Sequence, residues 1–478
     1  MSELRGQLEG FRSPSSVLDG DAVPAPTPDE LARAVVAPGS DALLPVGIVY
    51  QAGWEPAADG IARHARLAAR ALGAMGLPVA LRSLPIKRME LDSELDPAVL
   101  AEVDHLRKAS IGTARLAIRQ VIIHSPQFLE SVVAPFGARL AGFGNELAVY
   151  RSTIVYTSWE RTTVHPEIVD ILNRCARVWV PCHMNREVFE RAGVKHVDVI
   201  PCPFDPNDSR TIVQKEKDPS TGKVTTTIRE VRSPAFISAP RGSESVPDGR
   251  RFYAIGKWEP RKNCHALLGA FLSEFRPTEH ASLLIKTSDW GAWQNYPTIA
   301  ESVAFWLEAV GKERGWTREN FRRRVAIITK QLPEEELMGL HKKNNIYVTC
   351  SHGEAWDLPA FDARLAGNRL VYTGWGGADD YAGEYDVRIA SQAKAAELKF
   401  EPVHSGYGWE ADAMWASCEV AEIRKALRRA EPPRARVLPP ELVQYFGLHV
   451  VGRAMDASIR KAISFVSYQV LVEAGGFG

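Results

Sequence analysis

The chain reads as an α/β protein of two doubly wound, Rossmann-like domains facing a central cleft, and three observations predict this. Short apolar runs rich in Val, Ile and Tyr alternate with segments of helical period in two separate series, over residues 45–205 and 251–390. Between the series lies a polar stretch dense in Pro, Gly, Ser and Thr. The 478 residues exceed one ordinary domain and suit two, and 45% apolar with 24% charged residues is a globular composition that excludes wholesale disorder and a fibrous repeat.

Residues 1–43 lack sustained periodicity and read as a poorly ordered tail, with at most a short helix over 29–36. The run PVGIVYQ (45–51) predicts a buried strand. From Gly60 the apolar positions Ile61, Ala65, Ala68, Leu72 and Met75 recur at helical spacing, with Asp59 the expected N-cap and Gly76 the stop. LPVALRSL then supplies the second strand of a right-handed βαβ unit. Strands follow at 120–124, 153–157, 177–181 and 197–201, giving a first domain over 44–205. Residues 206–250 form a linker or insertion in which TTTIREV makes one small strand. The second domain, 251–435, is expected to hold strands at 251–255, 282–287, 324–329, 346–350, 369–373 and 386–389, with helices at 263–274, 298–313 and 334–343 among them. Residues 436–478 carry a helical pattern that returns toward the first domain.

Charge and cysteine usage exclude several classes. Lysine plus arginine and aspartate plus glutamate both number 58, and zero net charge disfavours nucleic-acid partners, although a local groove for modified DNA stays open. Six cysteines without a C-x-x-C pair read as reduced thiols, not as a disulfide framework or zinc site. No uncharged apolar run reaches the ~18–20 residues that span a bilayer, and the opening residues carry no apolar leader core. A cytoplasmic location is therefore expected. Peripheral contact with the inner membrane face could use two basic stripes, Lys108, Arg115 and Arg119 on one helix and Arg424, Lys425, Arg428 and Arg429 on another; solvated faces are the commoner explanation. Gly142-Phe-Gly144 lacks the rest of a dinucleotide fingerprint, Gly222-Lys223 the rest of a P-loop, and Asp19-Gly-Asp21 lies in the tail, away from any strand end.

The segment TCSHGEAWDLPAFDARLAG (349–367) carries the chemistry. It leaves the strand IYVTC, turns, and enters a helix near Pro359, a residue suited to a first helical turn. Glu354 lies in the turn and Asp362 eight positions later in the helix, while the helix start between them offers unpaired N–H groups to an anion. One carboxylate on each side of an anion site matches a nucleotide sugar: sugar, pyrophosphate, ribose.

These residues resemble the E-x7-E signature of the retaining GT-B glycosyltransferases of the family-four type (glycosyl transferases group 1), with Asp in the second place. FYAIGKWEPRKN (252–263) is similar to the opening of that family's nucleotide-binding domain, 156–205 to the end of its acceptor domain, and TGWGGADDY to the stretch after the carboxylates. The resemblance covers about residues 45–205 and 250–395. It implies a GT-B fold and transfer of a sugar from a nucleoside-diphosphate sugar, with retention, to a glycan, lipid-linked or other small acceptor. No metal or other cofactor is implied. Lys257, Lys262 and Leu358 would contact the donor near its phosphates, Glu354 the donor sugar, and Asp362 the ribose. Gly53, with Gly60, would bring the first loop close to the phosphates, and His124, ending QVIIH, would shape the reacting centre. Lys286 and the loop 331–333 would border the nucleotide.

One departure stands out: the family's E-G-(aromatic)-G-L-P reads Glu354-Ala-Trp-Asp-Leu-Pro here, with Ala355 and Asp357 in the glycine places. Asp357 would suit a helix cap, where its charge would occupy the anion site at a cost on the order of 1–4 kcal/mol for like charges a few ångströms apart; either it turns away towards a cation or a donor hydroxyl, or donor binding is weakened. A catalytically silent protein of this fold, binding a nucleotide or glycan, is the alternative.

Overall fold

The structure, a computed structural model, describes residues 48–52, 60–77, 79–83, 116–123, 125–133, 153–205, 209–217, 224–232, 248–288, 296–330, 332, 334–395 and 413–473. All of IVYQA, LAIRQV and TIVYT is buried, the pattern parallel strands need when helices cover both faces of a sheet. The first lobe runs β1 (Ile48–Ala52), α1 (Gly60–Gly73), β2 (Val79–Ser83), β3 (Leu116–Val121), α2 (Pro126–Val133), β4 (Thr153–Thr157), α3 (Pro166–Arg174), β5 (Arg177–Val180), α4 (His183–Arg191) and β6 (Val197–Val199). Its sheet is parallel, in the order β2-β1-β3-β4-β5-β6.

Three expectations change here. The third strand pairs with its neighbours over 116–121, so it starts earlier than 120 and stops before QVIIH is complete. Arg119 therefore lies mid-strand and fully buried, not on a helix face. Its guanidinium donates to the carbonyl of Val132, one of the unpaired C-terminal carbonyls of α2. Lys108 and Arg115 lie outside the described residues, as do Gly53, Asp59, His124, residues 1–43, the Gly142 and Gly222 near-misses, Gln331 and Pro333. The stretch read as a linker holds a nine-residue antiparallel pair, β7 (Ser209–Lys217) and β8 (Val224–Arg232), where alternating Thr, Val and Ile favour pairing despite the polar composition.

The second lobe runs β9 (Arg250–Ile255), α5 (Cys264–Glu274), β10 (Ala281–Lys286), α6 (Ile299–Arg314), α7 (Arg318–Arg324), β11 (Val325–Ile328), α8 (Glu334–Lys343), β12 (Ile346–Thr349), α9 (Leu358–Leu365), β13 (Arg369–Thr373), α10 (Ala378–Tyr381) and β14 (Val387–Ile389). A short antiparallel pair, β15 (Gln392–Ala395) and β16 (Met414–Ser417), and α11 (Val420–Arg429) follow. The sheet is parallel, in the order β11-β10-β9-β12-β13-β14, so chain direction across the sheet reverses between β9 and β12. Two such sheets make a two-lobe, doubly wound α/β architecture. Ligands of open parallel sheets lie beyond the carboxyl ends of the strands at that reversal.

Two arginines of α11 are tied down. Arg424 and Arg428 pair with Glu274 at 3.1 and 2.7 Å, Arg428 also with Glu279 at 2.7 Å, and Lys425 with Glu422 at 2.5 Å. The two arginines brace α11 against α5 and its following turn, while Lys425 and Arg429 stay exposed. Among the described residues no helix is long and apolar enough to cross a membrane.

The chain then returns to the first lobe. In α12 (Pro440–Phe446), Phe446 packs on Trp356 and Phe361, with ring centroids 5.4 and 5.5 Å apart. Gly447 bridges to Phe204 in parallel, through Phe204 N to Phe446 O at 3.0 Å and Leu448 N to Phe204 O at 2.9 Å. Next, α13 (Leu448–Glu473) packs along α1, so closely that a Cβ at Gly452 would lie 2.5 Å from the carbonyl oxygen of Ala71. Ser458 anchors it by accepting from Trp179 Nε1 at 2.7 Å and donating to Asp198 at 2.5 Å.

Candidate functional site

The reversal in the second sheet brings two turns together. After β9 the chain runs through Gly256 and Lys257 into a short 3-10 turn, Pro260–Lys262, closed by Asn263 in the left-handed region. After β12 it runs through residues 350–357 into α9. The turns are zipped by His352 N to Arg261 O at 2.8 Å and by Arg261 Nη1 to Gly353 O at 2.7 Å.

At their junction Lys262 Nζ donates to Glu354 Oε1. The same oxygen accepts from Ser351 at 2.5 Å and lies 3.0 Å from Arg261, which also pairs with Glu259 at 2.9 Å and Glu160 at 3.1 Å. Glu354 is 9% exposed, and burial opposes its charge; the adjacent cations and hydrogen bonds more than offset this and hold the carboxyl well below its ordinary range. Burial likewise pushes the Lys262 amine down, while Glu354 and Asp357 bring it up to a value above the ordinary one. The pair is charged and closed.

Asp357 precedes α9 with φ 62° and ψ 71°, in the left-handed region that glycine adopts freely. Its side chain does not cap the helix. It is 6% exposed, and neither oxygen meets a partner of full hydrogen-bond geometry among the described residues. Burial and the neighbouring Glu354 charge push the carboxyl up to about 6, against Lys262, Thr349 and the Ala360 amide, which draw it down. Trp356 packs on Phe361, Tyr381 and Phe446, and Tyr381 OH donates to the carbonyls of Trp356 at 2.8 Å and Asp357 at 3.1 Å, fixing the turn.

Across the lobes, Asp362 receives both Arg63 Nη1, at 2.5 Å, and Nη2, at 3.0 Å. Leu358 meets the start of α1, where a Cβ at Gly60 would come within 3.0 Å of its side chain. The N-terminal ends of α1 and α9 therefore face one another, and both favour an anion.

Of the residues singled out in the sequence, Lys262 and Glu354 meet at one junction, and Leu358, at the start of α9, meets Gly60 of α1 instead. Asp362 lies beyond them on α9, held by Arg63. Lys257 sits on the same turn as Lys262 but at the exposed surface, and Lys286 donates to the carbonyl of Thr287 at 2.7 Å. Gly53 and His124 lie outside the described residues. Arg63, Arg261 and Ser351 were missed. Arg261 and Ser351 stand beside the recognised residues in EPRKN and TCSHGE, so adjacency could have flagged them; the partner of Arg63 is 299 positions away and left no local signal.

The following turn, TGWGGADDY, supports the carboxylate loop from below. Gly376 has φ +131° and bridges to Glu354, and a Cβ there would strike the Glu354 carbonyl oxygen. Gly376→Ala is expected to displace Glu354 and to cost about 1–3 kcal/mol in backbone strain alone, which a denaturant titration checks. Wild-type values in the variant would show that the turn does not position the carboxylate.

Among the described residues no cluster of three His, Cys, Asp or Glu is placed to hold a metal. Cavities are present away from this junction, one of about 890 Å³ beside Gly374, Arg388 and Arg428.

No protein-family model and no curated protein sequence matches the chain. Among solved structures it is similar to sucrose-phosphate synthase from Thermosynechococcus elongatus, with 15% identity, 88% of this chain and all of that chain covered, and a TM-score of 0.49. It is also similar to a glycosyltransferase from Rickettsia africae, with 12% identity, 87% and 98% covered and a TM-score of 0.47. A third is HepE from Anabaena in complex with UDP-glucose, with 12% identity, 91% and 100% covered and a TM-score of 0.43. What the chain can do is therefore read from its own side chains.

Proposed function

We propose that this chain is a glycosyltransferase that moves a sugar from a nucleoside-diphosphate sugar to an acceptor. The observation that carries the reading is the Lys262–Glu354 pair, set beyond β9 and β12 at the sheet reversal and beside the start of α9. As the bond between the sugar and the diphosphate breaks, negative charge grows on the leaving phosphate. Lys262 and the α9 N-terminus would take up that charge. Lys262 turns from Glu354 to the phosphate, and Glu354 is then left to accept a sugar hydroxyl. Asp362 accepts the ribose hydroxyls in place of Arg63.

Retention, with front-face attack assisted by the donor phosphate, follows from the resemblance of the carboxylate loop, as does a role for His124 on the acceptor side. The acceptor is taken to be a glycan, lipid-linked or other small molecule, and the location cytoplasmic. Screening UDP- and GDP-sugars with pooled acceptors should reveal release of the diphosphate from at least one donor; neither binding nor release across the set would end this reading.

A second reading has one observation in its favour: both carboxylates of the motif are already neutralised by protein cations. A catalytically silent binding protein would keep them so, and calorimetry showing nucleotide binding without turnover would point to it.

A further inference from the structure

The departure at position 357 changes what a phosphate meets at the start of α9. A glycine there would offer only backbone, whereas this chain buries a carboxyl on a turn it cannot leave. Phe361 N donates to the Asp357 carbonyl at 3.0 Å, Tyr381 OH reaches the same carbonyl, and the aromatic rings of Trp356, Phe361 and Tyr381 pack the turn in place. The ionisable groups facing the carboxyl are Glu354 from its own loop, Lys262 from the turn after β9, Tyr347 of β12 and Tyr381 of α10. Lys262 is matched by Glu354 in the free chain and by the phosphate once it turns to the donor, and the two tyrosines stay neutral because burial pushes both well up. No group facing Asp357 is thus left over to balance both an ionised carboxylate and an incoming diphosphate.

We propose that Asp357 enters the donor complex as the neutral carboxylic acid, so that binding a nucleoside diphosphate at the start of α9 takes up one proton from solvent. This rests on the donor reading given above. The carboxylate gains the proton, and the resulting O–H donates to a phosphate oxygen, replacing a repulsion by a hydrogen bond. The raised titration of the free carboxyl, near 6, makes that proton accessible close to neutral pH. A glycine-bearing loop would bind the same ligand with no such dependence.

The test is calorimetry of UDP and of GDP with the full chain, in two buffers of different ionisation enthalpy near pH 7.5. Wild type is compared with Asp357→Gly, which suits the left-handed backbone, and with Asp357→Asn. The terminal phosphate of the free nucleotide titrates identically in all three experiments and cancels. Wild type is expected to take up about one proton more per nucleotide than either variant, and its affinity to fall up to about tenfold further per unit rise in pH. Equal uptake by all three proteins overturns the inference and leaves nucleotide binding standing. Binding to the variants alone, even near pH 5.5, also overturns it, since a protonated Asp357 should then admit the ligand. Binding of neither nucleotide to any of the three overturns this inference and the donor reading together.

Discussion

Lys262→Ala is expected to lower donor turnover by about 10²–10³-fold, the usual effect of deleting one preorganised group that stabilises transition-state charge. It should also destabilise the fold. Lys262 and Glu354 are mostly buried, with side chains 16% and 12% exposed, and removing one partner of such a pair costs about 3–5 kcal/mol because the other charge stays behind. Arg261 and Ser351 still reach Glu354, so the lower end is expected. The double variant Lys262→Met, Glu354→Gln separates the two effects: it should recover stability while staying inactive. Full turnover in Lys262→Ala would remove the residue from the chemistry.

The pH dependence has a definite sign. Glu354 titrates lower in the folded chain than in the unfolded one, so its contribution is complete above the ordinary carboxylate value of about 4.3 and drains away as pH falls through the folded value. Asp357 is displaced the other way, so stability declines as pH rises from about 4 to about 6. Asp357→Asn should abolish only that upper decline, and urea titrations across the range would show it.

Arg63→Ala carries the second large effect. The Arg63–Asp362 contact is bidentate, joins the two lobes and leaves side chains only 15% and 6% exposed. Loss of the guanidinium strands Asp362 in a buried position, at about 3–5 kcal/mol. The same change frees the carboxylate that the donor reading assigns to the ribose, so nucleotide affinity should fall less than stability does, or even rise. Denaturant unfolding and nucleotide titration of one preparation give both numbers. A variant as stable as wild type would mean that the pair contributes nothing to closing the lobes.

Much of this architecture was legible from residue order. TIVYT and RLVYT fall on their strands to the residue, because a run of buried β-branched side chains has a single comfortable placement in a parallel sheet. EEELMGLHKK matches its helix, and the helix over 299–314 starts after Thr298, whose box with Glu301 is a local signal. That Glu354 and Lys262 stand together was legible in part: Glu354 from its turn just past a strand end, Lys262 only from the resemblance of FYAIGKWEPRKN. Arg119 was misplaced because its spacing from other basic residues imitates a helix face, and only strand pairing decides that. The hairpin over 209–232 was hidden by polar composition, since a two-stranded ribbon needs no continuous apolar run. Contacts such as Arg63 with Asp362 are set by how two lobes dock, and nothing in either local stretch encodes the distance between them.

The Phe204–Gly447 bridge has a mechanical consequence. Phe204, at the end of the first lobe, is held against the returning chain by the hydrogen bonds flanking Gly447. Bonded on both sides of Gly447, the two stretches cannot slide past one another without breaking backbone hydrogen bonds.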